Sequence, residues 1–276
     1  MRNTGERIIP AEHRQDPGKF LIFLMHVKSY AHAMTIVRGE RVLDFGCGAG
    51  YGSNMLAGHV EDVTAVDISE EAISNAAKSY SAGNLHFLRI EPTENRALPF
   101  PDSNFDDVIS FQVIEHVEDV DSYLREIRRV LKPGGRLLLT TPNSSLRLLP
   151  GQKPWNRFHV REYTYDTITH ALLKEFPFVE VEGISATGPW LRMEKSRVNR
   201  IRWLTLPFTN LLVPDSVRQR FLERIWSRSA VRESSVSRHG EDRPFPKEED
   251  VFITSSAVDR CLKFFAVCSG ELWRAA

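Results

Sequence analysis

The sequence predicts an α/β protein with a mostly parallel, seven-stranded sheet and helices on both of its faces. Short apolar segments alternate with amphipathic helical segments between residues 41 and 142, and this alternation is typical of βαβ units. A glycine-rich turn follows the first apolar segment, and Pro133 with Gly134 separates a helical segment from the next apolar one. The 276 residues include 42% hydrophobic and 26% charged side chains, a composition with which a chain of this length can bury a core.

The predicted elements divide the chain into four segments. Residues 1–40 form an N-terminal helical segment, residues 41–185 the core of the sheet, residues 186–250 an inserted helical cap, and residues 251–276 contain the last strand. The cap is expected over the carboxyl edge of the sheet, where ligands bind in such folds. The seven strands are expected at residues 41–45, 63–67, 85–90, 105–111, 136–142, 178–185 and 261–269.

Charge and cysteine content exclude several classes of protein. The 36 basic and 36 acidic side chains cancel, so the chain has no general attraction for nucleic acid. The three cysteines are scattered, which indicates neither a disulfide framework nor a zinc ribbon and fits a reducing compartment. The first residues are polar where a signal peptide is apolar, and the apolar run at 20–25 is too short to span a membrane. We therefore expect a cytoplasmic protein.

The glycine-rich turn indicates one kind of cofactor. Asp44 is followed by glycines at alternate positions, Gly46, Gly48 and Gly50, and Asp67 ends the second strand. A dinucleotide site needs the spacing G-x-G-x-x-G, which this turn does not have. An acid within the turn would repel a pyrophosphate, whereas it suits a cationic amine. A cofactor with an adenosine, an ammonium and a sulfonium matches these features, so the turn predicts S-adenosylmethionine.

Four blocks of sequence follow one another between residues 41 and 142: VLDFGCGAG, TAVDIS, LPFPDSNFDDVISFQVIEHVED and YLREIRRVLKPGGRLLLTTPN. In this order they resemble the class I S-adenosylmethionine-dependent methyltransferases, in particular the large group that includes the ubiquinone and menaquinone enzymes. The resemblance covers more than a third of the chain. It implies a Rossmann-like fold, S-adenosylmethionine as cofactor and methyl transfer as the reaction.

The resemblance also implies roles for residues of the first two blocks. Asp44 would lie near the amine of the methionine part, and the backbone of the turn would approach that part at Gly46, Cys47, Gly48 and Gly50. Asp67 would bind the ribose hydroxyls, and Ile68 would pack against the adenine. Cys47 is expected to belong to the turn and not to act as a nucleophile, because no partner base is adjacent in sequence.

Later positions follow from the same resemblance. An acid before the LPF segment would meet the adenine amine; Glu91 and Glu94 both fit, and Glu91 is preferred by its distance from the third strand. Gln112 ends the fourth strand, where the family lines the sulfonium end of the site. Gln112 also replaces the first acid of an E-x-x-E-H arrangement that holds a divalent metal in some quinone O-methyltransferases. We therefore expect no metal, and we expect Glu115 and His116 to order the loop after the fourth strand.

The segment 154–164 follows the fifth strand, on the edge where acceptors bind. Its stretch FHVREY is similar to an element of bacterial methyltransferases that act near glycan and surface-polysaccharide pathways. Histidine is the usual general base for a hydroxyl acceptor, so His159 is the predicted catalytic residue. The alternative is structural: Arg161 would pair with Glu162, and His159 would bond to a backbone carbonyl.

Three functions agree with these patterns. The first is O-methylation of a sugar hydroxyl on a glycan, a glycolipid or a glycosylated metabolite, and the second is O- or C-methylation of a quinone, a phenol or a lipid. The third is a non-catalytic S-adenosylmethionine-binding partner protein. Residues 192–232 of the cap contain ten Lys or Arg against three acids, which predicts an anionic acceptor or peripheral contact with a membrane surface, unless they form the solvated face of ordinary helices. Nucleic acid is not expected as a substrate.

Overall fold

The structure is a computed structural model that describes residue 13 and residues 16–38, 40–91, 97–233 and 244–271, without the side chains of 226–233. Glu94, one of the two predicted adenine contacts, lies outside the described residues. The helices within them are α1 (Pro17–Ile36), α2 (Tyr51–Ala57), α3 (Glu70–Ser79), α4 (Val120–Val130), α5 (Ser144–Arg147), α6 (Tyr165–Leu173), α7 (Gly188–Thr209) and α8 (Asp215–Glu233). The strands are β1 (Arg41–Phe45), β2 (Asp62–Asp67), β3 (Leu85–Arg89), β4 (Phe105–Phe111), β5 (Leu131–Pro142), β6 (Phe178–Ala186), β7 (Val251–Thr254) and β8 (Lys263–Ser269).

These strands form one sheet in the order β3-β2-β1-β4-β5-β8-β6-β7. The five strands from β3 to β5 are parallel, β8 runs antiparallel between β5 and β6, and β7 pairs antiparallel with β6. The predicted α/β fold with a mostly parallel sheet is confirmed, but the sheet has eight strands and not seven. The additional strand β7 has only four residues, too few to show an alternation of apolar and polar positions.

Polar side chains cap the helices that flank the first half of the sheet. Ser69 accepts a hydrogen bond from the backbone N–H of Ala72 at 3.3 Å and so starts α3. Asp119 accepts one from Ser122 at 3.0 Å and starts α4. The cap at Ser69 places α3 two residues after β2, whereas residues 112–119 connect β4 to α4.

Two apolar clusters cover the two faces of the sheet. One face packs against α4 and α6, with Leu124 and Ile168 fully buried. The opposite face packs against α1, α2 and the first turns of α7, with Leu21 and Leu56 fully buried. Since α1 and α7 share this face, both helices reach the carboxyl edge on the same side.

The predicted cap segment contains α7 and α8. None of the helices in the described parts of the chain has the length and the apolar character needed to cross a bilayer. The division into four segments and the cytoplasmic location stay predictions.

Candidate active site

Three glycines shape the turn between β1 and α2. Gly46, Gly48 and Gly50 have φ angles of 90°, 53° and 78°, a region that other residues rarely adopt. A Cβ atom at Gly46 would lie 2.5 Å from Val113, and one at Gly50 would lie 2.7 Å from Ala76. A Cβ atom at Gly48 would meet nothing within 4 Å. The turn is thus packed against the protein at its two ends and open at Gly48, where a ligand can approach the backbone.

Asp67, at the end of β2, contacts this opening. Its Oδ2 accepts a hydrogen bond from the backbone N–H of Gly48 at 3.0 Å, and its Oδ1 accepts one from Ser69 at 2.8 Å. A carboxylate offers about four lone-pair positions, so each oxygen can still accept from a ligand hydroxyl. Two fixed oxygens with this capacity fit the diol of a ribose.

The two predicted adenine contacts of the described chain differ in exposure. Ile68 is buried, with 8% of its surface exposed, beside the end of β2. The side chain of Glu91 is 67% exposed, and its Oε1 pairs with Arg89 at 3.0 Å. The contact of Glu91 with the adenine amine stays a prediction.

Asp44 lies behind the turn and is fully buried. Its oxygens accept hydrogen bonds from the Ser53 hydroxyl at 2.6 Å and from the Tyr30 hydroxyl at 3.1 and 3.2 Å. Burial raises the pKa of Asp44 to about 6, although both hydroxyls act to lower it. Its contact with the amine of the cofactor stays a prediction. Burial also raises the pKa of the Cys47 thiol well above its usual range, which disfavours the nucleophilic thiolate.

A cavity of about 170 Å³ lies at the same edge of the sheet. Five separate parts of the chain line it: α1 with Ile22, the end of β4 with Gln112, the loop after β5 with His159, α7 with Val198, and the start of β8 with Lys263. The structure therefore brings the predicted base and the predicted sulfonium contact into one cavity.

Gln112 has an uncommon backbone conformation at the end of β4. Its φ angle is 59°, in the left-handed region. Its backbone N–H donates to the Thr140 carbonyl at 2.9 Å, and its Nε2 donates to Thr140 Oγ1 at 3.1 Å. Such conformations in residues other than glycine cluster at functional sites. The next residue, Val113, packs against Gly46, so Gln112 joins the cavity to the glycine turn.

His159 is the end of a chain of three polar side chains. Its Nδ1 lies 2.8 Å from Oε1 of Glu162, and Arg147 donates to both oxygens of Glu162, at 2.8 and 3.1 Å. The structural alternative predicted that Arg161 pairs with Glu162. This pairing is wrong, because Arg161 donates instead to the backbone carbonyl of Glu118 at 2.6 Å. The correct partner, Arg147, lies fifteen positions before Glu162, beyond the reach of a local pattern.

The charges of Arg147 and Glu162 determine which ring nitrogen of His159 carries the proton. Burial acts to raise the pKa of Glu162. The Arg147 guanidinium and the hydrogen bond from His159 nevertheless hold this pKa at about 2. An ionised carboxylate only accepts hydrogen bonds, so Nδ1 of His159 must donate to it. In the neutral ring the lone pair is then on Nε2.

Glu115 and His116 lie close to His159. One ligand-type atom from each of these three side chains lies within 4.8 Å of the others. Nδ1 of His116 is 3.1 Å from the Phe158 carbonyl, and Thr141 donates to Glu115 at 3.1 Å. Two imidazoles and a carboxylate are a donor set that divalent transition metals accept. The sequence predicted no metal here, and that stays a prediction.

Four residues of the site were not predicted from the sequence: Tyr30, Ser53, Arg147 and Lys263. Ser53 was detectable in principle, because it lies one helical turn after the glycines, where a hydroxyl can reach back to the strand. The others come from α1, from α5 and from β8, and their neighbours in sequence give no signal for these contacts.

The sheet order, the glycine turn and Asp67 define the class of this domain. Residues 43–139 match the family model described as "Methyltransferase domain". The chain thus contains a class I S-adenosylmethionine-dependent methyltransferase domain, and S-adenosylmethionine is its cofactor, as the turn predicted.

Known relatives extend the likeness beyond the domain. A probable S-adenosylmethionine-dependent methyltransferase of Mycobacterium tuberculosis is 35% identical over 179 residues, 64% of this chain and 61% of the relative. A demethylmenaquinone methyltransferase of Listeria monocytogenes is 34% identical over 159 residues, 55% of this chain and 65% of the relative. The chain spans less than two thirds of the length of both. The YcgJ protein of Bacillus subtilis shares the fold, with a TM-score of 0.54 and 20% identity over 90% of this chain and 100% of that one.

Proposed function

We propose that the protein is an S-adenosylmethionine-dependent methyltransferase that methylates a hydroxyl of a small acceptor, with His159 as general base. One observation carries the proposal. The buried chain Arg147–Glu162–His159 ends in the wall of a cavity that adjoins the glycine turn through Gln112. Base, acceptor space and cofactor turn thus meet at one edge of the sheet.

His159 has the arrangement that proton transfer requires. Nε2 takes the proton of the acceptor hydroxyl, and the imidazolium that forms keeps its Nδ1–H bond to Glu162. The negative charge of Glu162 stabilises this cation, as the acid of a catalytic triad does. Because two bonds from Arg147 hold Glu162 ionised, the carboxylate does not take the proton itself.

The protein also contains the groups that would bind the cofactor. S-adenosylmethionine supplies an electrophilic methyl group on a sulfonium. The open backbone at Gly48, the two carboxylate oxygens of Asp67 and the apolar side chain of Ile68 are the groups that would hold it. The remaining contribution of the protein is alignment of the acceptor and exclusion of water, which the cavity provides.

We favour a sugar hydroxyl as the acceptor. Beside His159 the cavity wall carries hydrogen-bonding side chains on several sides, among them Gln112, Asn156 and Lys263, and the aromatic ring of Trp155. A few placed polar groups on a partly apolar wall fix the orientation of a small ligand. A polyhydroxylated ring with one apolar face matches this combination.

The second candidate acceptor is a quinone, a phenol or a lipid. The cavity wall also includes apolar side chains from α1 and α7, such as Met25 and Val198. The Listeria monocytogenes relative is a demethylmenaquinone methyltransferase. A third possibility, a cofactor-binding partner without catalysis, would not need the ordered pair of His159 and Glu162.

Acceptor screening separates these three functions. The full chain is incubated with S-adenosylmethionine and panels of glycosides, quinols and fatty acids, and both S-adenosylhomocysteine and the methylated product are measured by mass spectrometry. Methylation of a glycoside that the His159→Gln variant does not perform supports the proposal. The exposed His170 gives the matched control His170→Gln, which should keep full activity. Turnover of quinols alone supports the second candidate, and cofactor binding without turnover on any panel supports the third.

A further inference from the structure

The cap concentrates exposed apolar side chains at one place. Seven of the thirteen large apolar side chains that are exposed in the described residues lie between positions 203 and 225. The four most exposed of these are Trp203 at 57%, Leu204 at 68%, Leu211 at 66% and Leu212 at 93%. They occupy the last turns of α7 and the turn that leads to α8. We call residues 203–212 the hairpin tip.

The hairpin tip is fixed to the body of the protein, so its exposure is a property of the fold. Gln152 donates to Thr209 Oγ1 at 2.9 Å, and Thr209 itself is fully buried. The backbone N–H of Leu211 donates to the Gly151 carbonyl at 3.0 Å. These bonds hold the end of α7 against the loop after β5 while the leucines point outward. Large exposed apolar patches mark sites that bind proteins or membranes.

Exposed cations occur on both helices that the hairpin tip connects, and on α7 one of them shares a face with the apolar side chains. Arg200 precedes Trp203 and Leu204 by three and four positions, a spacing that places all three on one face of α7. On α8, Arg220 and Arg224 are four positions apart and are both exposed. On both helices, exposed arginines therefore lie one to a few helical turns away from the apolar tip.

The charge of the chain is distributed very unevenly. Residues 192–232 carry ten Lys or Arg against three acids. Because the whole chain is neutral, all other residues together carry an excess of seven acids. One of the three acids, Asp215, is paired with Lys153 at 3.1 Å, and another, Glu194, with Arg197 at 2.6 Å. Residues 192–232 are therefore a strongly cationic part of an otherwise acidic chain.

We propose that the hairpin tip docks on the surface of an anionic lipid bilayer. The tip inserts Trp203, Leu211 and Leu212 among the acyl chains and headgroups, while the arginines behind it contact anionic headgroups. Trp is favoured at this depth because its ring is amphipathic. A second copy of the chain is a poorer partner, because two cationic caps would repel each other.

Docking in this manner has a consequence for the acceptor. Val198, in the cavity wall, lies five positions before Trp203 on the same helix, roughly 8 Å along the helix axis. The cavity is then close to the bilayer surface, within reach of acceptors that have a lipid part. The docking surface itself does not depend on the identity of the acceptor or on catalysis.

Vesicle co-sedimentation of the full chain tests the proposal. Wild type should bind vesicles of phosphatidylcholine with added phosphatidylglycerol, bind phosphatidylcholine alone much less, and lose binding as salt is added. Leu211→Ser with Leu212→Ser should weaken binding about tenfold or more through the lost apolar burial. Arg200→Ala with Arg220→Ala should weaken binding and flatten its salt dependence.

Matched controls come from the opposite face of the sheet. Leu173 of α6 is 49% exposed, and Arg125 of α4 is exposed, so Leu173→Ser and Arg125→Ala should bind vesicles like wild type. Circular dichroism and calorimetric titration of S-adenosylmethionine check that each variant is folded. The proposal is overturned if folded wild type ignores anionic vesicles, or if the double serine variant binds them equally well. It is also overturned if ultracentrifugation shows a dimer that this variant abolishes while lipid binding is absent.

Discussion

Asp44 and Glu162 are both buried carboxylates at the carboxyl edge of the sheet, yet their pKa values move in opposite directions. The pKa of Asp44 is raised to about 6 by burial, against hydrogen bonds from the neutral hydroxyls of Ser53 and Tyr30. The pKa of Glu162 is held at about 2 in spite of burial, because one of its donors is the guanidinium of Arg147. The charge of the donors, and not the depth of burial, decides the outcome.

The difference separates the cofactor side of the site from the acceptor side. Asp44 ties the glycine turn to α1 through Tyr30, a contact that works whether or not the carboxyl group is charged. Glu162 is useful to His159 only as an anion. The predictions that follow test whether one carboxylate is structural and the other is electrostatic.

The largest effect is expected at the end of the acceptor-side chain. His159→Gln removes the proposed base and should lower kcat by about 10²–10⁴-fold. The affinity for S-adenosylmethionine should stay the same, because Asp67 and the glycine turn are untouched. Steady-state kinetics with an identified acceptor and calorimetry with the cofactor measure the two quantities. A variant with normal kcat would show that His159 is only a wall of the cavity.

The two carboxylates should differ strongly in their effect on stability. Glu162→Gln leaves the guanidinium of Arg147 without its buried anion and should lower the free energy of unfolding by about 3 kcal/mol. Asp44→Asn keeps the shape, can still accept from Ser53 and Tyr30, and removes the cost of a buried charge, so at neutral pH we expect no loss and a gain of up to about 3 kcal/mol. Urea unfolding of both variants measures the difference. Equal losses would mean that Asp44 also acts through its charge.

The pH dependence of stability should show the opposite signs directly. The folded state raises the pKa of Asp44 from 3.8 to about 6, so its contribution is full below pH 4 and is lost as pH rises through 6. Burial lowers the pKa of His26 from 6.5 to about 3, aided by the charge of Lys263, so its contribution is full above pH 6.5 and is lost as pH falls. Between pH 4 and 6 each contribution changes the free energy of unfolding by about 2–3 kcal/mol, and the two changes have opposite signs.

Variants separate the two contributions. In Asp44→Asn the free energy of unfolding should fall as pH decreases from 6.5 to 4, because the opposing contribution of Asp44 is removed and that of His26 remains. In His26→Gln it should rise over the same range. Urea unfolding at several pH values tests both slopes, and parallel curves for the two variants would contradict the opposite shifts.

The geometry of the turn and the position of Asp67 follow from the sequence because these parts are neighbours along the chain, while their contacts with the cofactor stay predictions. The strand, the turn with Gly46, Gly48 and Gly50, and the acid Asp67 follow one another within two βα units. Parallel pairing of β1 with β2 brings these units together without help from distant segments. Backbone geometry therefore determines the arrangement of the turn and Asp67.

The acceptor side was predicted only as a list of separate residues. His159 and Gln112 were both expected at the edge, but their shared cavity needs α1, α7 and β8 to pack around them. In the structural alternative Glu162 pairs with the adjacent Arg161, whereas the fold brings Arg147 to it. Contacts of this kind depend on how helices pack on the sheet, and short-range patterns carry no information about that.

A smaller effect is expected on the affinity for the cofactor. Asp67→Ala removes the two oxygens that fit the ribose and should weaken S-adenosylmethionine binding by about 1–3 kcal/mol. Glu91→Gln should have a weaker effect, because the side chain of Glu91 is 67% exposed to solvent. Calorimetric titration measures both affinities. If NADH binds and S-adenosylmethionine does not, the assignment of the turn is wrong.

The smallest effect, no change at all, is expected from removal of divalent metals. Gln112 stands where a ligand acid would be needed, and Nε2 of His159 is assigned to the acceptor proton, so a metal on Glu115, His116 and His159 would compete with catalysis. Treatment with a chelator should leave kcat unchanged, and elemental analysis of the purified protein should find no stoichiometric metal. His116→Gln should keep most of the activity. If activity disappears with chelator and returns with a divalent ion, Glu162 orients a metal ligand, as second-sphere carboxylates do for histidine ligands. Glu162 would then still be the electrostatic carboxylate of the pair, but its charge would act on a metal and not on a proton.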